Sequence, residues 1–289
     1  MKPLKMIIGA AAVMVMTSTA SLNAQKVLVL YYSQTSNTKA VAQEIATKLN
    51  ADIEEVVAVN PYNEDFKATI ERCMKEREAG TTPKIKPVKA NIAKYDVIFL
   101  GYPIWFGTYA PPIATWLDKV DLSGKKVVPF CTFGSGGLES SVKDLASKQP
   151  KAEIIEGYGV RAARMDAMPN EVDQFLKANG FLKGSYVKLQ DFSEQHAVSA
   201  TEAAIFDGAV GDYPMMNAKA VSVATRPIPY GMEYKFTAVD KPRDNAPMTP
   251  PPGGDKPGKK DLKLPPPGEM TVFVIVANGE KPVFTKVIR

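Results

Sequence analysis

A single histidine and two cysteines serve the whole 289-residue chain, and these scarcities exclude more than the abundances reveal. His196 has no second histidine with which to build a metal site, and it lies far from the first half of the chain. A His-dependent relay is not expected there, and no catalytic acid or base and no metal ligand is assigned. Cys73 and Cys131 could form at most one bridge, which rules out a disulfide-stapled scaffold; Cys131 sits in a strand-like run and reads as an inert core thiol. Neither half has an excess of charge: residues 26–182 carry 20 bases and 19 acids, and residues 183–289 carry 14 and 12. That balance argues against nucleic acid as a partner. No GK[ST] and no GxGxxG occurs, so the usual nucleoside-triphosphate and dinucleotide loops are missing. No internal repeat is visible.

The amino end supplies the first positive signal. Lys2 and Lys5 precede the apolar run Met6 to Met16, and the small residues Thr17 to Ala24 follow. Residues 1–24 read as a secretory signal peptide, cleaved after Leu22-Asn23-Ala24 or Ser18-Thr19-Ala20, with a retained anchor as the alternative. The run is too short to span a bilayer, and no cysteine before Cys73 could carry a lipid. An exported, periplasmic or extracellular protein without a retained membrane span is expected.

From Lys26 onward, short apolar runs alternate with amphipathic stretches. "KVLVLYYS" precedes "TKAVAQEIATKLN", which places Val41, Ile45 and Leu49 on one helical face. The pattern recurs as "DIEEVVAV" before a helix near 64–78, "YDVIFLGYP" before "PPIATWLDKV", "KKVVPFCTF" before "LESSVKDLASK", and "AEIIEGYGV" before "NEVDQFLKANG". Five such units predict an α/β domain over 26–182, a parallel sheet with helices on both faces. Ligands of such sheets bind beyond the carboxyl ends of the strands, which singles out three loops.

Loop one, Ser33-Gln34-Thr35-Ser36-Asn37-Thr38, puts hydroxyls and amides at a helix amino end without Arg or Lys among them. Free backbone N–H groups and the helix dipole there suit a phosphate; a plain turn with an N-cap would use the same residues. Loop two, around Pro103-Ile104-Trp105-Phe106-Gly107, offers aromatic rings where a βα loop meets water. Trp105 either stacks a flat ligand or folds back onto the sheet. Trp116, in phase with Ile113, Leu117 and Val120, is core. Loop three, Thr132-Phe133-Gly134-Ser135-Gly136-Gly137, lets backbone approach a ligand closely, though turns alone also use glycine. A planar heterocycle bearing one terminal phosphate would use all three.

These loops resemble those of the flavodoxin-like family, in the bacterial branch whose first loop reads S-x-T-G-N-T and whose second reads P-I-W. The resemblance spans about residues 26–182. It implies a five-stranded sheet in the order 2-1-3-4-5 and non-covalent FMN, with phosphate in loop one and isoalloxazine beside Trp105 and the 132–137 loop. Ser36 stands where the family has glycine, and if its φ is positive the cost is about 1 kcal/mol. The resemblance also implies electron transfer to a protein partner, or reduction of a small acceptor in the manner of a quinone reductase. The strongly acidic rim usual in the family's carriers is absent here.

After Gly180 the pattern changes. "SEQHAVSATEAAIFDGAVGDY" reads as one helix, and "AKAVSVATR", "YGMEYKFTAVD", "MTVFVIVAN" and "KPVFTKVIR" read as antiparallel strands. Residues 240–269 form a Pro/Gly/Lys-rich loop. The order resembles a cystatin-like fold over 190–289, although only Gly231 of the inhibitory Q-x-V-x-G is present. A docking module is the reading favoured for this small α+β domain. The rival reading of the chain makes it the functional part and the first domain a scaffold.

Overall fold

The computed structural model describes residues 14–18, 25–62, 65–211, 213, 216–241 and 268–288. Most of the expected signal segment and of the 240–269 loop lies outside the described residues. The chain divides between Lys188 and Leu189 into two compact units.

The first unit is built on strands β1 (Val27–Tyr31), β2 (Asp52–Glu55), β3 (Val97–Trp105) and β4 (Lys126–Phe133), followed by the short β5 (Glu153–Ile154) and β6 (Tyr158–Arg161). They run parallel in the order β2-β1-β3-β4, with β5 and β6 both paired to β4. The fifth predicted strand is thus two pieces along one edge, and the order 2-1-3-4-5 holds. "DIEEVVAV" is shorter than expected, because only its first four residues pair with β1.

Successive side chains of a strand point to opposite faces, and both faces are dry. On one, Val29, Phe99, Val128 and Phe130 pack against Val41 and Ile45 of α1 (Asn37–Leu49) and Val172 and Leu176 of α5 (Met168–Ala178). On the other, Leu30, Leu100, Tyr102 and Cys131 meet Cys73 of α2 (Phe66–Glu78), Ile113 and Trp116 of α3 (Pro111–Leu117) and Leu145 of α4 (Leu138–Lys148). Burial on two sides explains why the strand sequences are continuous apolar runs. Both cysteines are buried and unbridged.

Met14–Ser18, inside the segment read as a signal peptide, forms a strand antiparallel to Gly184–Lys188.

The second unit carries α6 (Ala200–Val210) and strands β7 (Ala218–Ile228), β8 (Gly231–Asp240), β9 (Glu269–Ala277) and β10 (Val283–Ile288), an antiparallel meander. Phe206 of α6 packs with Val223, Phe236, Val272 and Phe284 in its core. The helix is shorter than the sequence suggests. Ser199 accepts from the Glu202 N–H while the Glu202 carboxylate takes the Ser199 N–H, a reciprocal cap that starts the helix there. His196–Ala197, expected to be helical, pair instead with β7.

Candidate functional site

The loops after β1, β3 and β4 leave the sheet at its carboxyl end, so parallel pairing alone puts them on one rim. Loop one turns into α1 through Ser36, whose φ of 67° is left-handed. A left-handed residue followed by helical ones turns successive N–H groups toward one point, an anion-binding nest. No side chain caps α1 and no acid stands in its first turn, so its leading N–H groups have no intrahelical partner. The Ser33 Oγ is buried without a hydrogen-bond partner. A buried orphan hydroxyl beside free amides fits a phosphate better than it fits a completed turn.

Not every hydroxyl of this loop faces the nest freely. The Thr38 Oγ1 lies 2.8 Å from the Thr132 Oγ1, and both side chains are buried. Gln34 reaches the other way, its amide donating to the Tyr62 carbonyl at 2.6 Å and to Thr69 Oγ1 at 3.0 Å. Thr35 is exposed, with Asn37 donating weakly to it at 3.5 Å.

Loop two is a hairpin rather than an open loop. β3 continues to Trp105, reverses through Phe106 and Gly107, and pairs back at Trp105↔Thr108 and Ile104↔Tyr109. Both turn residues have positive φ, 52° and 82°, as the two-residue turn matched to strand twist requires. Trp105 is half-buried and lies edge-on to Tyr62, with ring centroids 5.1 Å apart, and to Tyr32 at 5.9 Å. It therefore belongs to an aromatic cluster, and Phe106 is the exposed ring of the pair, with the Arg77 guanidinium 5.1 Å from its centroid. Pro103 and Ile104 are half-buried.

Loop three begins in the sheet, with Thr132 and Phe133 buried, and runs through Gly134, Ser135 and Gly136 to Gly137, the N-cap of α4 at φ 111°. A Cβ on Gly137 would stand 2.5 Å from the Ile104 Cγ2. The Ser140 hydroxyl donates to the Gly107 carbonyl, and the Arg161 Nε to the Gly134 carbonyl at 2.7 Å. Direct contacts thus join the three loops: Thr38 to Thr132, Trp105 to Tyr32, and Ser140 to Gly107.

Residues 26–174, just over half of the chain, match the flavodoxin family model. This chain belongs to the flavodoxin family. Over 125 residues it is 34% identical to an uncharacterized protein of Methanocaldococcus jannaschii, covering 43% of this chain and 65% of that one. It thus spans less than two thirds of that relative's length. A crystal structure from Bacteroides eggerthii is similar at 31% identity and TM-score 0.45, over 53% of this chain and 98% of that one. A flavoprotein of Lactobacillus acidophilus, solved in complex with FMN, is similar at 25% identity and TM-score 0.44, over 50% of this chain and 99% of that one.

Within this flavodoxin unit, sequence reading missed the loop after β2. Tyr62 contributes to the aromatic cluster, with the Arg72 guanidinium 3.8 Å from its ring centroid and its hydroxyl donated to Glu76. Burial, then Glu76, holds the Tyr62 hydroxyl well above its usual pKa. A cavity of about 250 Å³ opens between this loop and loop one, with Tyr32, Ser33, Gln34, Glu55 and Tyr62 in its wall. The signal for Tyr62 lay in the strand order, since the loop after β2 shares the rim. Burial pushes the Cys131 thiol far up, leaving no thiolate for chemistry. Among the described residues no group of His, Cys, Asp or Glu could hold a metal ion, and no helix is long and apolar enough to cross a membrane.

Proposed function

We propose that the flavodoxin unit binds FMN without a covalent bond and that the protein is an exported redox protein. The observation that carries this reading is the nest at the start of α1, uncapped, free of acids in its first turn, and flanked by the buried orphan hydroxyl of Ser33. In this reading the side chains of Ser33, Thr35 and Asn37 hold the phosphate with the Ser36 backbone and the leading amides of α1. Trp105 and the Thr132–Gly137 backbone take the ring system. Thr38 and Gln34 act one step back, Thr38 by holding loop one to β4 and Gln34 by holding it to α2. The flavin, when bound, supplies one- and two-electron transfer; the protein sets its potential by burial and hydrogen bonds near the ring. No side chain is assigned as acid or base. The electron partner is a redox protein or a small acceptor, and the second unit serves docking.

The visible spectrum of the purified protein tests this directly. A flavin band in the blue supports the reading; a colourless protein that takes up no flavin moves the function to the second unit. Trp105→Ala should weaken FMN by at least about 1 kcal/mol through loss of a ring partner. Unchanged affinity removes Trp105 from the site. Sequencing the amino end of the secreted protein tests cleavage after Ala24 or Ala20. An intact Met14–Ser18 strand in the mature protein would contradict export by a cleaved signal.

A further inference from the structure

Arg161 is the last residue of β6, and the parallel register sets it beside Phe133, the last residue of β4. Loop three therefore leaves the sheet next to the arginine side chain. The Arg161 Nε donates to the Gly134 carbonyl at 2.7 Å, so it grips the first peptide of that loop. Gly134, with no Cβ, is poorly able to fix this peptide by its own conformational preference.

A peptide is planar and trans, so its C=O and N–H point in opposite directions. With the Gly134 carbonyl drawn to Arg161, the Ser135 N–H is turned away from the arginine. Ser135 and Gly136 are half-buried, and among the described residues no protein acceptor takes the N–H of either. Half-buried donors without a partner suit an acceptor supplied by a ligand. Other charges stand on this side of the rim: Glu139 lies in the first turn of α4, and Arg164 is paired with Glu171. The grip on Gly134 is a matter of direction, and it does not depend on how those charges sum.

We infer that Arg161 is a positioning residue that raises the reduction potential of the flavin, by fixing the Gly134–Ser135 peptide so that the Ser135 N–H meets the polar edge of the ring. This rests on the FMN reading above, in which loop three takes the ring system. That edge gains negative charge when the flavin is reduced. A donor aimed in advance at developing charge stabilises the charged form more than the neutral one, so the reduced flavin gains more than the oxidised one. Arg161 acts through the backbone of loop three and not by touching the flavin.

The test compares the wild type with Arg161→Gln, Arg161→Lys and Arg161→Met. Glutamine carries its Nε2 at the same distance along the side chain as the arginine Nε, so it keeps the donor and loses the charge. Lysine keeps the charge but has a carbon at that place, and methionine keeps only the length. Each protein is titrated with FMN, and the midpoint potential of the bound flavin is read by dye-equilibrated reduction, with thermal melting alongside. Oxidised FMN should bind all four proteins within about twofold. Reduced FMN should bind Arg161→Lys and Arg161→Met about tenfold more weakly than the wild type, a fall of about 30 mV for a two-electron couple, while Arg161→Gln keeps the wild-type potential. One potential for all four proteins overturns the inference and leaves the flavin reading intact, even if Arg161→Met melts lower. A fall in Arg161→Gln with Arg161→Lys unchanged overturns it in favour of a charge effect. Equal weakening of both redox states makes Arg161 a structural support of the loop and also overturns it. Failure of the wild type to take FMN overturns both readings.

Discussion

The hydroxyls of Thr38 and Thr132 meet at 2.8 Å across 94 residues of chain, in a buried contact between the first turn of α1 and the end of β4. This pair fastens the proposed phosphate loop to the proposed ring loop. Replacing Thr38 by Val leaves the Thr132 hydroxyl buried and alone, and should cost about 1–3 kcal/mol. Removing both hydroxyls in Thr38→Val/Thr132→Val should cost less than the single change, because no orphan remains. Urea denaturation of the two variants checks both statements.

Ser36 carries a Cβ into a left-handed position at φ 67°. Ser36→Gly should relieve about 1 kcal/mol of backbone strain, visible as a higher urea midpoint at unchanged slope. FMN should bind at least as tightly, since the amides of the nest keep their direction. A fall in stability would mean that the serine hydroxyl contributes more than its backbone costs.

Gly137 is a close-approach glycine as well as a left-handed one. At φ 111°, an added Cβ stands 2.5 Å from Ile104, so Gly137→Ala should destabilise by at least about 1–2 kcal/mol. Gly137→Ala/Ile104→Ala should recover only the steric share, because the φ penalty stays. Differential melting of the single and double variants separates the two.

His196 offers a pH test in the second unit. Its hydrogen bond with the Glu202 carboxylate at 2.9 Å raises the imidazole pKa above the ordinary value, near 6.5 for histidine. A raised folded-state pKa means that the stabilisation is complete below the unfolded value and is lost as the pH rises through the folded one. His196 is the one histidine of the chain, so a single imidazole NMR resonance reports it. Glu202→Gln should bring the midpoint down toward the ordinary value; an unmoved midpoint would remove Glu202 as the cause.

What could be read from the sequence follows from what is local. β1, β3 and β4 are buried on both faces, so they appear as unbroken apolar runs such as "VLVLY" and "VIFLGY", and their order placed three loops on one rim. Trp116 declared itself by its helical neighbours and is core. The contacts that organise the rim are not local. Tyr62 meets Trp105 from a loop 43 residues earlier, and Thr132 meets Thr38 across the sheet; nothing in either neighbourhood announces its partner. The reversal at Phe106-Gly107 escaped notice because phenylalanine is a poor turn residue. His196–Ala197 escaped because polar residues beside a helix read as its first turn until the Ser199 cap is recognised.

The proposed role of the uncapped start of α1 is to hold the phosphate of a flavin. Titration of the purified protein with FMN, with riboflavin as the control and flavin and tryptophan emission as the signals, tests it most directly. FMN should bind tightly and riboflavin, which lacks the phosphate, much more weakly. Equal affinity for the two, or no binding of either, would contradict it.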